Sequence, residues 1–314
     1  MTVFKLPLRI GTRRSPLARV QAKMVRDQLC AAHGPLAAEG ALEVVFIQTT
    51  GDVVQDRPLA DIGGKGLFTK EIDTALINGH IDFAVHSMKD VPTVLPGGLT
   101  ISCVLPREDP RDAFISSSGV NLAGLPSGSL IGTASLRRRA QILARRPDLV
   151  VEPLRGNVNT RLKKLDSGVV DATLLALAGL KRLGQDHVVT EILSPETMLP
   201  AVAQGAIGVE CRRDDEQILS LLMPLNHSPT EIAVCAERAL LARLDGSCET
   251  PIAALGTLDG VGGITLSGLI AAPDGSKLID GKIQGACAEA GKLGEELGAR
   301  LLAKAGSASL AIKR

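Results

Sequence analysis

Apolar residues fall into two kinds of stretch along this chain. In LRIG (8–11), VVFIQT (44–49) and IDFAVH (81–86) they run nearly unbroken over a few positions, as in a strand buried on both faces. Between these runs they recur every three or four residues. Ser15-Pro16 supplies a helix start, Ser as N-cap and Pro at the first helical position, for a helix to about Leu29. The Gly-rich GGKG (63–66) leads into a helix over about Leu67–Asn78. Strand–helix–strand–helix–strand in so short a span predicts a parallel, doubly wound layer.

The string LPREDPRD (105–112), with two prolines and five charges, reads as a linker, after which the alternation restarts. Strands are expected at Ser129–Gly132, Leu149–Pro153 and Ala172–Leu177, and helices at Ser135–Arg145 and Asn159–Ser167. A second linker, 194–208, leads to a strand at Ile207–Cys211 expected to rejoin the first lobe, giving a clamp with a cleft between lobes. From Ser228 the pattern changes. Ser228-Pro229-Thr230-Glu231 reads as a capping box. Ile232, Cys235, Ala236, Ala239, Leu240 and Leu244 then mark one helical face, and alternating runs at 264–271 and 277–284 flank a Pro273-Asp274-Gly275-Ser276 hairpin turn. A last helix covers about Ala286–Ala303. The expected organisation is α/β: a first lobe from residues 1–105 with 200–224, a second from 111–195, and a small α+β domain over 228–314.

Composition narrows the function. Of 314 residues, 45% are hydrophobic and 22% charged, and the formal net charge is +1, so no global field draws nucleic acid or a membrane surface. Five Phe and no Trp or Tyr leave no stacking platform for single-stranded nucleic acid. No secretory leader pattern is visible, and no apolar run approaches the ~20 residues of a membrane helix. The six cysteines are scattered without a CxxC pair, which argues against zinc and against a disulfide framework. A cytoplasmic protein is the expectation.

Local charge carries the chemistry. Arg13 and Arg14 lie between a strand and a helix, Arg137, Arg138 and Arg139 follow Thr133 and Ser135, Arg155 and Arg161 bracket RGNVNTR, and Arg182 follows another strand. Guanidinium forks at strand-to-helix junctions, with hydroxyls of Ser15, Thr133 and Ser135 nearby, suit carboxylate or phosphate ligands. Solvated surface charge is the plainer alternative for any one of them. GGKG lacks the spacing of a nucleotide P-loop. In HSMKDVP (86–92), Asp90 falls where a buried strand opens into a loop that Pro92 stops. A carboxylate there could stabilise a developing cation or take a proton from N–H, or simply cap its own turn. His86 reads as a structural hydrogen-bonder. Cys248 sits in an exposed-looking loop beside Glu249, which does not activate a thiol, while Cys30, Cys103, Cys211, Cys235 and Cys287 read as small core or helix residues.

These motifs, taken in order, closely resemble the porphobilinogen deaminase (hydroxymethylbilane synthase) family: RIGTRRSPLA (9–18), GGKGLF (63–68), AVHSMKDVP (84–92), REDPRDA (107–113), GTASLRR (132–138), LRGNVNTRL (154–162), LAGLKRLG (177–184), LPAVAQGAIGVECR (199–212) and GSCETPI (246–252). The resemblance implies a monomeric transferase of tetrapyrrole (haem) biosynthesis. It would join four porphobilinogen molecules, each losing ammonia, into linear hydroxymethylbilane. It also implies a dipyrromethane cofactor, made from the same substrate, on the sulfur of Cys248. Carried over residue by residue, Asp90 is the catalytic carboxylate facing pyrrole N–H groups. Lys89, Thr133, Ser135, Arg137, Arg138 and Arg155 contact the cofactor. Arg13, Ser15, Arg155, Arg161 and Arg182 contact substrate. No metal is implied. Asp61 lies where relatives can carry lysine, Ser247 where glycine is common, and Lys65 matches a family loop without a fixed role.

The family also implies two doubly wound lobes resembling type II periplasmic binding proteins. That leaves two rivals: a non-catalytic two-lobed anion receptor, and a different pyrrole- or amine-processing transferase on the same scaffold. A third domain presenting Cys248 favours the enzyme.

Overall fold

A computed structural model describes residues 6–53, 66–244 and 251–307. In chain order its elements begin with strand β1 (Leu8–Arg13), helix α1 (Pro16–Ala32), β2 (Leu42–Ile47), a helical turn at Thr50–Val53, α2 (Lys70–Ile77), β3 (Phe83–Ser87) and β4 (Leu99–Val104). Then come β5 (Asp112–Ser116), β6 (Leu130–Gly132), α3 (Leu136–Arg145), β7 (Val150–Glu152), α4 (Val158–Asp166), β8 (Ala172–Ala176), α5 (Leu177–Arg182) and β9 (Glu191–Ile192). The chain ends with β10 (Ile207–Arg212), α6 (Glu216–Leu222), α7 (Ser228–Arg243), β11 (Ile252–Leu258), β12 (Gly263–Ala271), β13 (Leu278–Ala286) and α8 (Ala290–Ser307).

The described residues divide into two compact units. One holds 6–53, 66–107 and 206–231; the other holds 108–205, 232–244 and 251–307. The first unit is built on a sheet of order β2-β1-β3-β10-β4. α1 starts as its sequence predicts: Ser15 accepts from the Ala18 N–H, Pro16 occupies the first turn, and Ala18, Ala22, Val25 and Leu29 pack inward. They meet Phe83, Val85, Ile207 and Val209 from one face of the sheet. α2 covers the other face with Ile72 and Leu76 against Ile81, Ala84 and Leu99. β3 is therefore buried on both sides, which explains its unbroken apolar run.

The second unit carries the sheet β7-β6-β8-β5-β9 and the antiparallel sheet β11-β12-β13. The hairpin turn forms where predicted, with Gly275 at φ 76°, its backbone against α3 beside Ala140, Leu143 and Ala144.

Three expectations need correction. The parallel layer expected of the first three strands forms, β1 pairing with β2 and β3, but β5, a strand the sequence reading lacks, runs antiparallel to β8 and β9, and β10 rejoins the first lobe antiparallel to β3 and β4. The cause is where the chain leaves and returns. Leu105 N–H bonds the Ile207 carbonyl and Met88 N–H the Ala206 carbonyl, so β10 enters at the end by which β3 and β4 leave. Second, α7 is capped one residue earlier than the capping box implies. His227 Nδ1 accepts from Thr230 N–H, while Glu231 bonds the Asn226 side chain. Third, the buried face of α7 is Ala233, Val234, Ala236, Glu237 and Leu240, and Cys235 is exposed.

Candidate functional site

In the first unit the candidate residues gather at the carboxyl ends of two adjacent parallel strands, β1 and β3. β3 ends in a tight turn over Met88–Asp90, closed by Val91 N–H to the Met88 carbonyl. This presents Lys89 and Asp90 half-buried, the Asp90 side chain 28% exposed. Arg13, last residue of β1, places Nη1 3.4 Å from Asp90 Oδ2. Its firmer contacts go to Asp52, at 3.1 Å from Nε and 2.5 Å from Nη2, and its guanidinium lies 4.1 Å from the centre of the Phe68 ring. Burial works against ionising Asp52. The hydrogen bond and charge of Arg13, with Thr49, outweigh it and hold the carboxyl below its ordinary range. For Arg13 likewise, burial is outweighed by Asp52 and Asp90, and its pKa rises. Ser15 serves its helix as N-cap.

In the second unit, Thr133 and Ser135 follow β6. Thr133 Oγ1 accepts from Ser135 N–H, and Ser135 Oγ caps α3 by accepting from Arg138 N–H. Both oxygens act locally as acceptors, which leaves their O–H groups as donors. Arg137 and Arg138, on the first turn of α3, are buried around fully buried Asp112, first residue of β5. Arg137 Nη1 lies 2.7 Å from Oδ2; Arg138 Nη2 and Nε lie 2.7 and 3.1 Å from Oδ1, and Gln204 Nε2 lies 3.0 Å from Oδ1. Arg137 and Arg138 also donate to the Leu199 and Leu174 carbonyls. Burial would raise the Asp112 pKa, but two adjacent guanidiniums drive it far below the ordinary carboxylate range.

Two cations share one anion here, and Arg137 Nε, buried, has no hydrogen-bond partner among the described residues. That uncompensated edge fits a carboxylate.

Arg155 follows β7, half-buried, its carbonyl accepting from Lys164. Arg161 Nε donates to the Gly156 carbonyl. Gly156 has φ 118°, and a Cβ there would fall 2.6 Å from Thr160, so this turn needs glycine. Arg182 Nη2 donates to the Gly205 carbonyl at 2.6 Å, its Nε has no partner among the described residues, and burial lowers its pKa.

The structure thus brings Arg13 to Asp90 in the first unit and Arg137 and Arg138 together around Asp112 in the second, while Arg155, Arg161 and Arg182 are held by contacts of their own. Cys248 lies outside the described residues, as do Asp61, Lys65 and Ser247. Among the remaining cysteines, Cys103 and Cys211 are core thiols, and burial pushes Cys103 up to about 12. Sequence reasoning missed Asp52, Asp112 and Gln204. Asp112 had been read as linker, although the buried run Ala113–Ile115 directly after it marks a strand start. No group of His, Cys, Asp and Glu among the described residues could hold a metal ion, and no described helix is long and apolar enough to cross a membrane.

Family models match nearly the whole chain. "Porphobilinogen deaminase, dipyromethane cofactor binding domain" matches residues 8–220, and "Porphobilinogen deaminase, C-terminal domain" matches 231–303. The chloroplastic porphobilinogen deaminase of Pisum sativum is 57% identical over 302 residues, 95% of this chain and 82% of that one. The chloroplastic enzyme of Oryza sativa subsp. japonica is 59% identical over 87% and 76%. That of Paracoccus denitrificans is 55% identical over 95% of each chain. Among solved structures, the periplasmic VFT2 domain of Bordetella pertussis BvgS is similar with a TM-score of 0.41 and 14% identity, over 68% of this chain and 84% of that one. The α/β class rests on the strand pairings themselves.

Proposed function

Because the chain belongs to the porphobilinogen deaminase family, we propose that it deaminates four porphobilinogen molecules and joins them head to tail into hydroxymethylbilane, with Asp90 as the catalytic carboxylate. One observation carries the reading beyond the family match. Asp90 stands at the carboxyl end of a buried strand, partly open to solvent, with one guanidinium at ion-pair distance. Each addition expels ammonia and leaves positive charge on a pyrrole and its methylene. A fixed anion beside that charge lowers the barrier, and an ionised carboxylate also accepts pyrrole N–H and the proton that leaves the attacking α-carbon as that ring regains aromaticity. Arg13 at ion-pair distance from Asp90 suits a carboxylate of the incoming ring, and Lys89, next to Asp90 in the chain, suits the carboxylates of the cofactor.

The second unit's residues fit a dipyrromethane. The unpartnered edge of Arg137, the excess cation around Asp112, and the Thr133 and Ser135 hydroxyls match a ligand bearing several carboxylates. Arg155, Arg161 and Arg182 extend the same donor set. When bound, that group supplies the free pyrrole carbon at which chain growth starts. Cys248 is its proposed attachment point. The reading includes a monomer and a cytoplasmic location; of the three relatives described, the two plant proteins are chloroplastic, and the Paracoccus name specifies no organelle.

Intact mass of the purified chain decides the matter. The expected result is a protein heavier than its sequence by a two-ring unit, an excess that Cys248→Ser removes, together with conversion of porphobilinogen to a linear tetrapyrrole. An unmodified mass with anion binding and no turnover would make it a receptor instead.

A further inference from the structure

Beneath the Asp90 turn lies a second cluster of titratable groups that the mechanism above does not use. Glu210 on β10 is completely buried, His86 on β3 and Asp73 on α2 nearly so. β3 and β10 are antiparallel neighbours, with Glu210 opposite Ala84 and Gly208 opposite His86. Side chains two apart share a face, so His86 and Glu210 both point toward α2. His86 Nε2 lies 2.9 Å from Glu210 Oε2, and the Glu210 charge acts on the Asp73 carboxyl. Among the described residues neither Glu210 oxygen has a conventional donor, nor has Asp73 Oδ1.

Two buried carboxylates acting on one another cannot both stay ionised cheaply, which favours a proton held by one of them. Burial first, and the Glu210 charge second, raise Asp73 to about 6.

The other charged groups on this face are already engaged. Arg212 on β10 donates to the Leu76 and Ile81 carbonyls and pairs with Asp215. Glu71 on α2 accepts from Thr50. Arg13 on β1 is held by Asp52 and Asp90. The Thr69 carbonyl, in the residue preceding α2, accepts from the Asp73 N–H.

The connections close a ring. Asp73 anchors the first turn of α2, which begins two residues after Phe68. Phe68 covers Arg13, and Arg13 reaches Asp90. His86 anchors the end of β3, four residues before Asp90. We propose that Asp73, Glu210 and His86 form a buried proton-sharing array that fixes both sides of the Asp90 turn, making them positioning residues for the reaction. This rests on Asp90 being the reacting carboxylate.

The test compares wild type, Asp73→Asn and Asp73→Leu as full-length, cofactor-loaded chains, by steady-state kinetics with porphobilinogen and by NMR of the His86 imidazole against pH. Asparagine keeps an N–H donor for Glu210. It should retain kcat within about threefold while abolishing the step that Asp73 imposes on the His86 signal around pH 6. Leucine should lower kcat at least tenfold with KM within twofold. A leucine variant that folds and keeps its kcat overturns the proposal, as does a His86 pH profile that is the same in wild type and Asp73→Asn. Should the leucine variant not fold, the asparagine spectrum decides alone. A wild-type chain without turnover sinks the proposed function instead, and the comparison of the His86 signal between wild type and Asp73→Asn then still tests the array.

Discussion

Nη1 of Arg13 stands 3.4 Å from Oδ2 of Asp90, a long ion pair, because the same guanidinium is gripped more closely from its other edge by Asp52. Asp52 therefore sets how much of Arg13 is available to Asp90 and to a substrate carboxylate. Asp52→Asn should free the guanidinium to close on Asp90. The expected result is a fall in kcat/KM of about three- to thirtyfold, mostly in KM, as expected for lost ground-state binding. Steady-state kinetics checks it; an unchanged KM removes Asp52 from the site.

Among the described residues Asp90 makes one long ion pair and is half-buried, so its loss should hardly move stability. Asp90→Asn should cut kcat at least a hundredfold, in the range seen when a group stabilising transition-state charge is removed. The melting temperature should stay within about 3 °C of wild type, since nothing buried is left unpaired. Turnover near wild type would place the catalytic carboxylate elsewhere.

Asp112 is the opposite case. It is fully buried and holds two guanidiniums and Gln204, so Asp112→Asn leaves two buried cations without their anion. Breaking a buried pair costs about 3–5 kcal/mol. For a unit of this size that is on the order of 10 °C in melting temperature. The pH dependence has a definite sign. A carboxyl depressed in the folded state contributes stability that is full above the ordinary carboxylate pKa and is lost as pH falls through the folded value. Asp112→Asn should therefore lose most at neutral pH, and the gap should narrow toward acid. Thermal unfolding from pH 7 to pH 3 measures this; a gap that widens toward acid contradicts it.

What could be read from the sequence was local. Asp90 was findable because an apolar run ends in polar residues before Pro92, and a buried strand has no other way to stop. The arginine junctions were findable because caps such as Ser15 and Ser135 mark helix starts. Strand direction was not: an apolar run looks the same in either direction, so nothing in the sequence marks β10 as antiparallel, and β5, starting at the end of a charged Pro-rich stretch, does not read as a strand at all. Charge also misled where it is buried. Arg137 and Arg138 read as accessible forks, yet they are closed around Asp112, which was itself read as linker. Burial of an ionised group depends on a partner far along the chain, 25 residues away for Arg137 and 92 for Gln204. Short-range patterning carries no trace of that.

Glu237 shows the same limit and gives a last prediction. It is fully buried on α7, where a single charge on an apolar face looks like a break in the pattern. Its oxygens accept from Ala203 N–H at 2.6 Å and Gly256 N–H at 2.8 Å. Ala203 is held at φ 58°, in the left-handed region, among the AVAQG residues that also bring Gln204 to Asp112 and Gly205 to Arg182. A left-handed non-glycine residue costs about 1–2 kcal/mol, whereas glycine costs roughly 0.5–1 kcal/mol in chain entropy. Ala203→Gly should therefore leave stability level or raise it by about 1 kcal/mol. Glu237→Ala strands two buried donors at about 1–3 kcal/mol each. If Glu237 holds Ala203 in place against its own preference, the two changes must couple. With glycine at 203 the turn keeps its shape unaided, so Glu237→Ala should cost at least 0.5 kcal/mol less there, on the order of the coupling measured between contacting residues. Denaturant unfolding of the four proteins in this cycle gives that difference, and simple additivity would mean the turn is shaped by its other contacts.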